Sequence, residues 1–461
     1  MPFFRKTRVV LWLITVVLLC SVSPSGAEQL IRVGLAERRS RVDISSSSAL
    51  SFSDRSGKRI SAGRSASVMV SGSSLRVNGQ TMAPPVSVSS SSMLIFNKRR
   101  YLGRFDLLLR ARRITVVNVL GVESYLRGVL KMEANPSWPI EALKVQAIIS
   151  RTYALRQIGR HSKKGYDVCD THHCQAYRGG SAHDPVTDRA IAQTRGMVLT
   201  YRGRLAKTFF HSDCGGVTAA VKDVWGGDVP YLRSVADPIP SGSPYMTWTA
   251  SLKGSTIGRA LERAGFPVGV VSAMTVLDRD ASGRVRTLLV TGSKGQRKIS
   301  GHRFRMAVGS RLVKSTAFQI RGSRDFYPIQ MPVSSPRPVL SPTVDVVAPL
   351  TATEEQLLFL LTKQGAFTSK ELIEMLVDPS RKRHYLQREG GSTSGTGSFS
   401  VNKPISVPIG KSSHGAFVLK GRGWGHGVGL SQWGARALAL SGWPARKILY
   451  HYYPGTTLTT R

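Results

Sequence analysis

The stretch GVESYLRGVLKMEANPSWPIEALKVQAIISRTYAL, residues 121–155, decides how this chain is read. Val122, Tyr125, Leu126, Val129 and Leu130 recur at the spacing of one apolar helical face. Asn135-Pro136 breaks that period, and Ser137 with Pro139 offers a cap and a first-turn proline for a second helix. The second helix would bury Ile140, Leu143, Ala147 and Ile148, while Lys144 and Arg151 share a different face two turns apart. Glu133 falls at the break. A carboxyl at the negative end of a helix, beside the apolar Met132 and Trp138, holds its proton more tightly than a free one, which suits general acid catalysis. The same pattern also describes a solvated glutamate in a helix–helix loop, so the stretch alone leaves both readings open.

Composition narrows the setting. A chain of 461 residues that is 41% hydrophobic and 8% aromatic folds into two or three domains and is not disordered. At the N-terminus Arg5, Lys6 and Arg8 precede an apolar run from Val9 to Leu19, and Ser25-Gly26-Ala27 supplies small residues. Residues 1–27 therefore read as an export signal cleaved after Ala27, the alternative being an uncleaved anchor. The expected location is the cell envelope. The 65 Lys and Arg against 27 Asp and Glu give a net charge of +38. Such a charge first suggests nucleic acid. The basic residues are dispersed, however, and an exported chain meets other polyanions, so no nucleic-acid partner is expected. Peripheral contact with a membrane or with anionic wall polymers is.

Pattern along the chain gives an α+β expectation. Short alternating runs with Ser/Gly-rich turns predict a β-rich module over residues 28–117. A mixed helix and strand core is expected over 118–327 and again over 413–461, including a hairpin in GMVLTYRGRLAKTFF. Residues 328–412 read as an insert of a proline-rich linker, a helical pair and a Gly/Ser/Thr tract. The closing segment GRGWGHGVGLSQWGARALALSGWPARKILYHYYPGTTL sets alternate glycines around Trp424, His426, Gln432 and Trp433. Those glycines permit close backbone approach, and Trp with Gln suits sugar recognition by stacking and amide bonding.

Three blocks, EANPSWPIEALKVQAIISRTYA, SDCGGVTAAVKDVWGGDVPYL and GRGWGHGVGLSQWGARALA with HYYPGT, resemble the stage II sporulation protein D family, which includes amidase-enhancer proteins of the cell wall. The resemblance spans most of residues 118–330 and 415–457. It implies an exported lytic transglycosylase that cleaves peptidoglycan glycan strands to 1,6-anhydro ends, with Glu133 as acid and then base. By the same likeness Lys144 and Arg151 are the cationic pair important for activity, either holding the lactyl carboxylate of the sugar or salt-bridged on the helix. For Trp424, His426 and Gln432, cleft lining and structural packing stand level. The alternative reading is a non-catalytic wall-binding protein that stimulates a peptidoglycan amidase.

Loss of Cys20 with the signal leaves Cys169, Cys174 and Cys214 in an exported chain. Cys169, His172, His173 and Cys174 crowd into six positions, a donor set of the zinc type. Adjacent histidines point opposite ways in extended chain, so one of the pair would bind. The family likeness selects His161, Cys169, His173 and Cys174 as ligands of a structural Zn2+. The alternative is a Cys169–Cys174 disulfide.

Overall fold

The computed structural model describes residues 28–321, 385–386, 410–411 and 416–461. The signal segment, the proline-rich linker, the helical pair and the Gly/Ser/Thr tract expected from the sequence lie outside the described residues. The chain divides into two compact units, residues 1–329 with 408–461, and residues 330–407. The first is an α+β fold. Among the described residues no helix is long and apolar enough to cross a membrane.

Alternating burial builds the β-rich part. In Arg41–Ser46 the residues Val42, Ile44 and Ser46 point inward while Arg41 and Asp43 face water, the period of a half-buried strand. A seven-stranded sheet runs from Val168–Cys169 through Leu30–Arg39, Arg113–Gly121, Arg104–Arg110, Val86–Ser89 and Leu50–Ser53 to Arg59–Ala62. A six-stranded sheet centres on Arg41–Ser46 and Ser65–Ser71. Both sheets contribute to one core, and that core continues into Tyr125, Leu126, Leu143, Ala147 and Ile191 of the helical part. The strand Arg113–Gly121 runs directly into helix α1 (Val122–Arg127), so the sheet sets where the helices begin.

The first apolar face is divided between two helices, α1 and α2 (Leu130–Glu133). The break is at Gly128, where a side chain would run into the ring of Tyr177. Glu133 is the last residue of α2, followed by extended Ala134. Helix α3 (Ile140–Arg156) starts two residues later than the cap expectation: Pro139 is its N-cap, and Ser137 instead donates its N–H and its hydroxyl to Asn135 Oδ1 in a turn. Helix α3 is buried on several sides. Leu143, Ala147 and Ala154 enter the first core, while Val145, Ile148 and Ile149 enter a second. Each such Val, Leu or Ile side chain stabilises the fold by roughly 1.5–3 kcal/mol on burial, and each alanine by less.

That second core joins α3 to α8 (Gln432–Leu440) and α9 (Ala445–Tyr452), with α4 (Pro185–Gln193) and α5 (Val221–Val224) introduced in between along the chain. The expected hairpin is Met197–Tyr201 paired with Arg204–Leu205, and the C-terminal strand Thr457–Thr460 closes on its other edge. A third core lies under α6 (Gly254–Arg263) and α7 (Gly301–Val308), beside the long pair Val271–Arg279 and Val285–Gly292. There Trp248–Lys253, Ala416–Gly421 and Phe318–Ile320 form a three-stranded sheet with Ala416–Gly421 in the middle.

One polar group pins these layers. Arg151 on α3 is fully buried and forms a two-pronged pair with Glu123 on α1, Nε to Oε1 at 2.8 Å and Nη2 to Oε2 at 2.7 Å. Its Nη1 donates to Met197 O, and Gly196 N–H donates to Glu123 Oε1. The expectation that Arg151 grips substrate is thereby corrected: its guanidinium ties α1, α3 and the 197–201 strand together and no part of it reaches solvent. Removing one member of such a pair strands the other charge in the interior. Arg151→Met should therefore lose about 3–5 kcal/mol of stability in urea denaturation, and Glu123→Leu/Arg151→Met should recover a large part of that loss.

Candidate active site

The end of α2 places Glu133 against the loop that follows Cys174. Ala176 N–H donates to Glu133 Oε1 at 3.3 Å. From the far end of the chain, Gln432 Nε2 donates to the Glu133 carbonyl at 2.8 Å and to Gln146 Oε1 at 3.3 Å. Gln432 opens α8 behind Ser431, whose hydroxyl caps the helix by accepting from Gly434 N–H. Main chain and carboxyl of Glu133 are thus each held by a segment remote in sequence. Burial pushes the Glu133 carboxyl above the ordinary 4.5, opposed by the Ala176 hydrogen bond and by the nearby His172. The cause differs in part from the one read in the sequence, because Met132 is exposed. A carboxyl with a tightened proton, one amide donor and a fixed main chain can deliver and retrieve a proton.

Lys144 projects one turn along α3 from this break and bonds Glu141 Oε1 at 2.7 Å, half-exposed. Glu141 also accepts from Ala445 N–H, which fastens α9 to α3. The sequence missed the aromatic pair beside the site: Trp138 and Trp433 meet edge to face at 5.3 Å, and Arg436 lies over Trp433. Both tryptophans are half-buried. The signal was present, one Trp in each of two motif blocks, but nothing local said the two would touch.

The glycine-rich segment divides. Its second half, from Leu430, reaches Glu133 through Gln432. Trp424 and His426 belong elsewhere: Trp424 packs on Tyr245 at 4.5 Å with the Lys314 ammonium over it, and His426 packs on His211 and Trp225. Among the described residues no hydrogen bond or ring contact joins either to Glu133. Gly423, Gly425, Gly427 and Gly429 all take left-handed φ, between 70° and 132°, which side chains would resist.

The donor atoms of His161, Cys169, His173 and Cys174 all lie within 4.8 Å of one another. His161 Nε2 is 3.3 Å from Cys174 Sγ, and His173 Nδ1 is 3.5 Å from Cys174 Sγ and 3.7 Å from Cys169 Sγ. Edges of about 3.3–3.8 Å are those of a tetrahedron with zinc bonds near 2.0–2.3 Å. Cys169, Cys174 and Cys214 are free thiols. Burial pushes the Cys174 thiol up to about 11, whereas at Cys169 burial is outweighed by hydrogen bonds from Thr171 and Cys174, leaving the thiol below its usual value. His172, turned from the cluster, is the histidine felt by Glu133. The loop therefore ties the cluster at one end to the Ala176 amide at the other.

Comparison with known proteins finds likeness over parts of this chain. Residues 110–201, which include Glu133, Lys144, Arg151 and the Cys/His cluster, match the family described as Stage II sporulation protein. The chain is similar to the amidase enhancer of Bacillus subtilis, 28% identical over 391 residues that cover 84% of this chain and 47% of that protein. An uncharacterized protein of Brachyspira hyodysenteriae is 31% identical over 207 residues, 45% of this chain and 55% of that protein. Stage II sporulation protein D of Bacillus subtilis is 28% identical over 193 residues, 38% of this chain and 55% of that protein. The chain spans about half the length of the curated relatives it matches.

A carboxyl raised above 4.5 in the fold returns to that value on unfolding. The folded chain binds more proton between the two values, so this group contributes stability below pH 4.5 and loses it as pH rises through the folded pKa. Glu133→Gln should accordingly be more stable than the wild type at pH 7, with the difference shrinking toward pH 4 in paired urea titrations.

Proposed function

We propose, for a chain whose residues 110–201 match the Stage II sporulation protein family, that it is an exported lytic transglycosylase acting on the glycan strands of peptidoglycan. The observation that carries this reading is the partly buried, proton-retaining carboxyl of Glu133, held through both its main chain and its side chain. In the proposed reaction Glu133 donates its proton to the glycosidic oxygen between N-acetylmuramic acid and N-acetylglucosamine. The C1–O bond breaks, and the ring oxygen or the acetamido group stabilises the electron-poor centre. The sugar's own 6-hydroxyl then bonds to C1, its proton passing to the Glu133 carboxylate. Glu133 is regenerated and the product carries a 1,6-anhydro end. One carboxyl suffices, unlike the paired carboxyls of most glycosidases.

Supporting parts have stated roles. Lys144 remains the candidate to hold the lactyl carboxylate, since Arg151 is occupied inside the fold. The Trp138–Trp433 pair offers half-buried indole surface for a sugar face. Gln432 fixes the Glu133 main chain and is a positioning residue. A Zn2+ would be held by His161, Cys169, His173 and Cys174, whose donor types and mutual distances fit it. Four protein ligands close the coordination shell, so the ion would hold the loop shape that presents the Ala176 amide.

A second reading has its own support. The amidase enhancer aligns with 84% of this chain, so a wall protein that binds and stimulates a peptidoglycan amidase is the alternative. On either reading the protein works at the cell envelope, in contact with glycan strands.

Digestion of purified glycan strands separates the two. The transglycosylase reading expects anhydro-muramyl ends by mass spectrometry, reduced at least a hundredfold in Glu133→Gln. No such ends from the wild type, together with faster turnover by an added amidase, would leave the stimulating role. Elemental analysis should find one zinc per chain, lost in Cys174→Ser along with thermal stability. A metal-free chain with a Cys169–Cys174 disulfide would remove zinc from the account.

A further inference from the structure

A cavity of about 440 Å³ opens beside the three-stranded sheet of the third core, and the chemistry above does not use it. Two cross-strand rows of that sheet line it: Trp248, Gly421 and Phe318 stand in register, and next to them Thr249, Lys420 and Gln319. Neighbouring residues of a strand point to opposite faces, so the first row brings buried apolar wall and the second brings polar groups. Trp248 and Phe318 are buried, Gln319 is half-buried, and Thr249 and Lys420 are exposed at the mouth. Trp248 is fixed in place, because its Nε1–H donates to Ser315 Oγ at 3.3 Å. Gly421 is required beside it, since a side chain there would run into the indole and the Ala317 carbonyl.

The charged lining is all of one sign. Arg279, Lys420 and Arg422 line the cavity, and among the described residues no Asp or Glu does. Arg279 is braced against the wall, Nη1 donating to Gly283 O at 2.9 Å and Nη2 to Phe318 O at 3.1 Å. Arg422 is half-buried, and its backbone is fastened twice: its N–H donates to Ala317 O and its carbonyl accepts from the Ser315 hydroxyl. The Arg422 guanidinium and the Lys420 ammonium have no hydrogen bond or ion pair among the described residues. Burial and the nearby Arg284 charge pull the Arg422 guanidinium below its usual value. The acids of the adjoining hairpin are engaged elsewhere. Asp280 Oδ1 accepts from the N–H groups of Ser282 and Arg284 inside its own turn, and Asp278 pairs with Arg286 at 3.6 Å.

A half-buried guanidinium is screened less than an exposed one and bonds an oxyanion more strongly. Gln319, Thr247 and Thr249 supply groups that bond hydroxyls, and Trp248 and Phe318 supply apolar wall. The volume falls within the range of small-molecule sites, roughly 300–1,000 Å³. An inorganic ion would use the cations and leave the rest of this lining idle. We propose that the cavity binds a sugar unit carrying an oxyanion, its carboxylate or phosphate on Arg422 and Lys420 and its hydroxyls on Gln319 and the threonines. The site stands apart from the acid: among the described residues no hydrogen bond, ion pair or ring contact joins a lining residue to Glu133, Lys144, Trp138 or Trp433. It is independent of the transglycosylase reading, since a cleaving and a stimulating wall protein would both gain from a hold on an anionic polymer.

The test titrates the full chain calorimetrically at fixed ionic strength with N-acetylmuramic acid, N-acetylglucosamine 6-phosphate and neutral N-acetylglucosamine. It is run on Lys144→Ala, which removes the other candidate holder of a carboxylate. At least one sugar anion should bind one per chain, and the neutral sugar should not displace it. Adding Arg422→Gln should weaken that binding about tenfold, and adding Lys420→Gln about threefold. Thr249→Trp blocks the mouth with no change of charge and should abolish binding, while Arg204→Gln, an exposed arginine elsewhere, should leave it unchanged. Lys420 and Thr249 are exposed, so their variants keep the fold if Arg422→Gln does not. Binding of the sugar acid alone assigns the site to a carboxylate-bearing glycan, and binding of the sugar phosphate alone to a phosphate-bearing polymer. No binding of either anion overturns the site. So does undiminished binding in Thr249→Trp, or equal weakening by Lys420→Gln and Arg204→Gln, either of which leaves only attraction to a basic surface. Glu133→Gln should bind the anion as its parent does, whatever it does to glycan cleavage.

Discussion

The buried pair between Glu123 and Arg151 is the constraint on which the rest of the first unit depends. It joins the first turn of α1 to the last turns of α3, and through the Met197 carbonyl it reaches the strand that carries the C-terminus. A charge pair in the interior gains little over an apolar pair of the same shape, but it tolerates few wrong arrangements. Here it fixes the angle at which α1 leaves the sheet. Since α2 follows α1 after two residues, that angle also determines where Glu133 points.

Glu133 then depends on two further anchors that arrive from opposite directions. The loop behind the Cys/His cluster brings an amide to its carboxyl, and α8 brings an amide side chain to its carbonyl. Partial burial does the chemical work, because a carboxylate out of water is costly and the neutral acid is not. The single amide donor and His172 keep that effect in bounds. An acid that must both give and take a proton needs this intermediate setting: full burial would hold the proton, and open water would release it.

Much of this was legible in residues 121–155. The helix break at Asn135-Pro136 and the position of Glu133 at its edge followed from local pattern, as did the strand alternation before residue 120 and the hairpin at Arg202-Gly203. Local pattern misled where partners were distant. Ser137 looked like a cap, but Asn135 was the nearer acceptor; Arg151 looked like a surface cation because its spacing from Lys144 says nothing of Glu123. The glycine-rich motif read as one object, although Phe210–His211 pairs with Leu430–Ser431 and leaves the earlier half to a different neighbourhood. Pairing across more than two hundred residues has no trace in spacing. Residue types suggested the four donors of the Cys/His cluster, but only family likeness chose among the histidines.

The three-stranded sheet has a consequence for how such a chain can change over time. Phe318–Ile320 lies antiparallel to Ala416–Gly421, and Arg321 N–H donates to Val418 O, so the chain departs and re-enters side by side. Whatever is spliced between those two points meets its ends already clamped. Doubling the length of such an excursion adds only about 0.6 kcal/mol of closure entropy. Lengthening the excursion between these strands would therefore cost little in free energy as long as Phe318–Ile320 and Ala416–Gly421 stay paired.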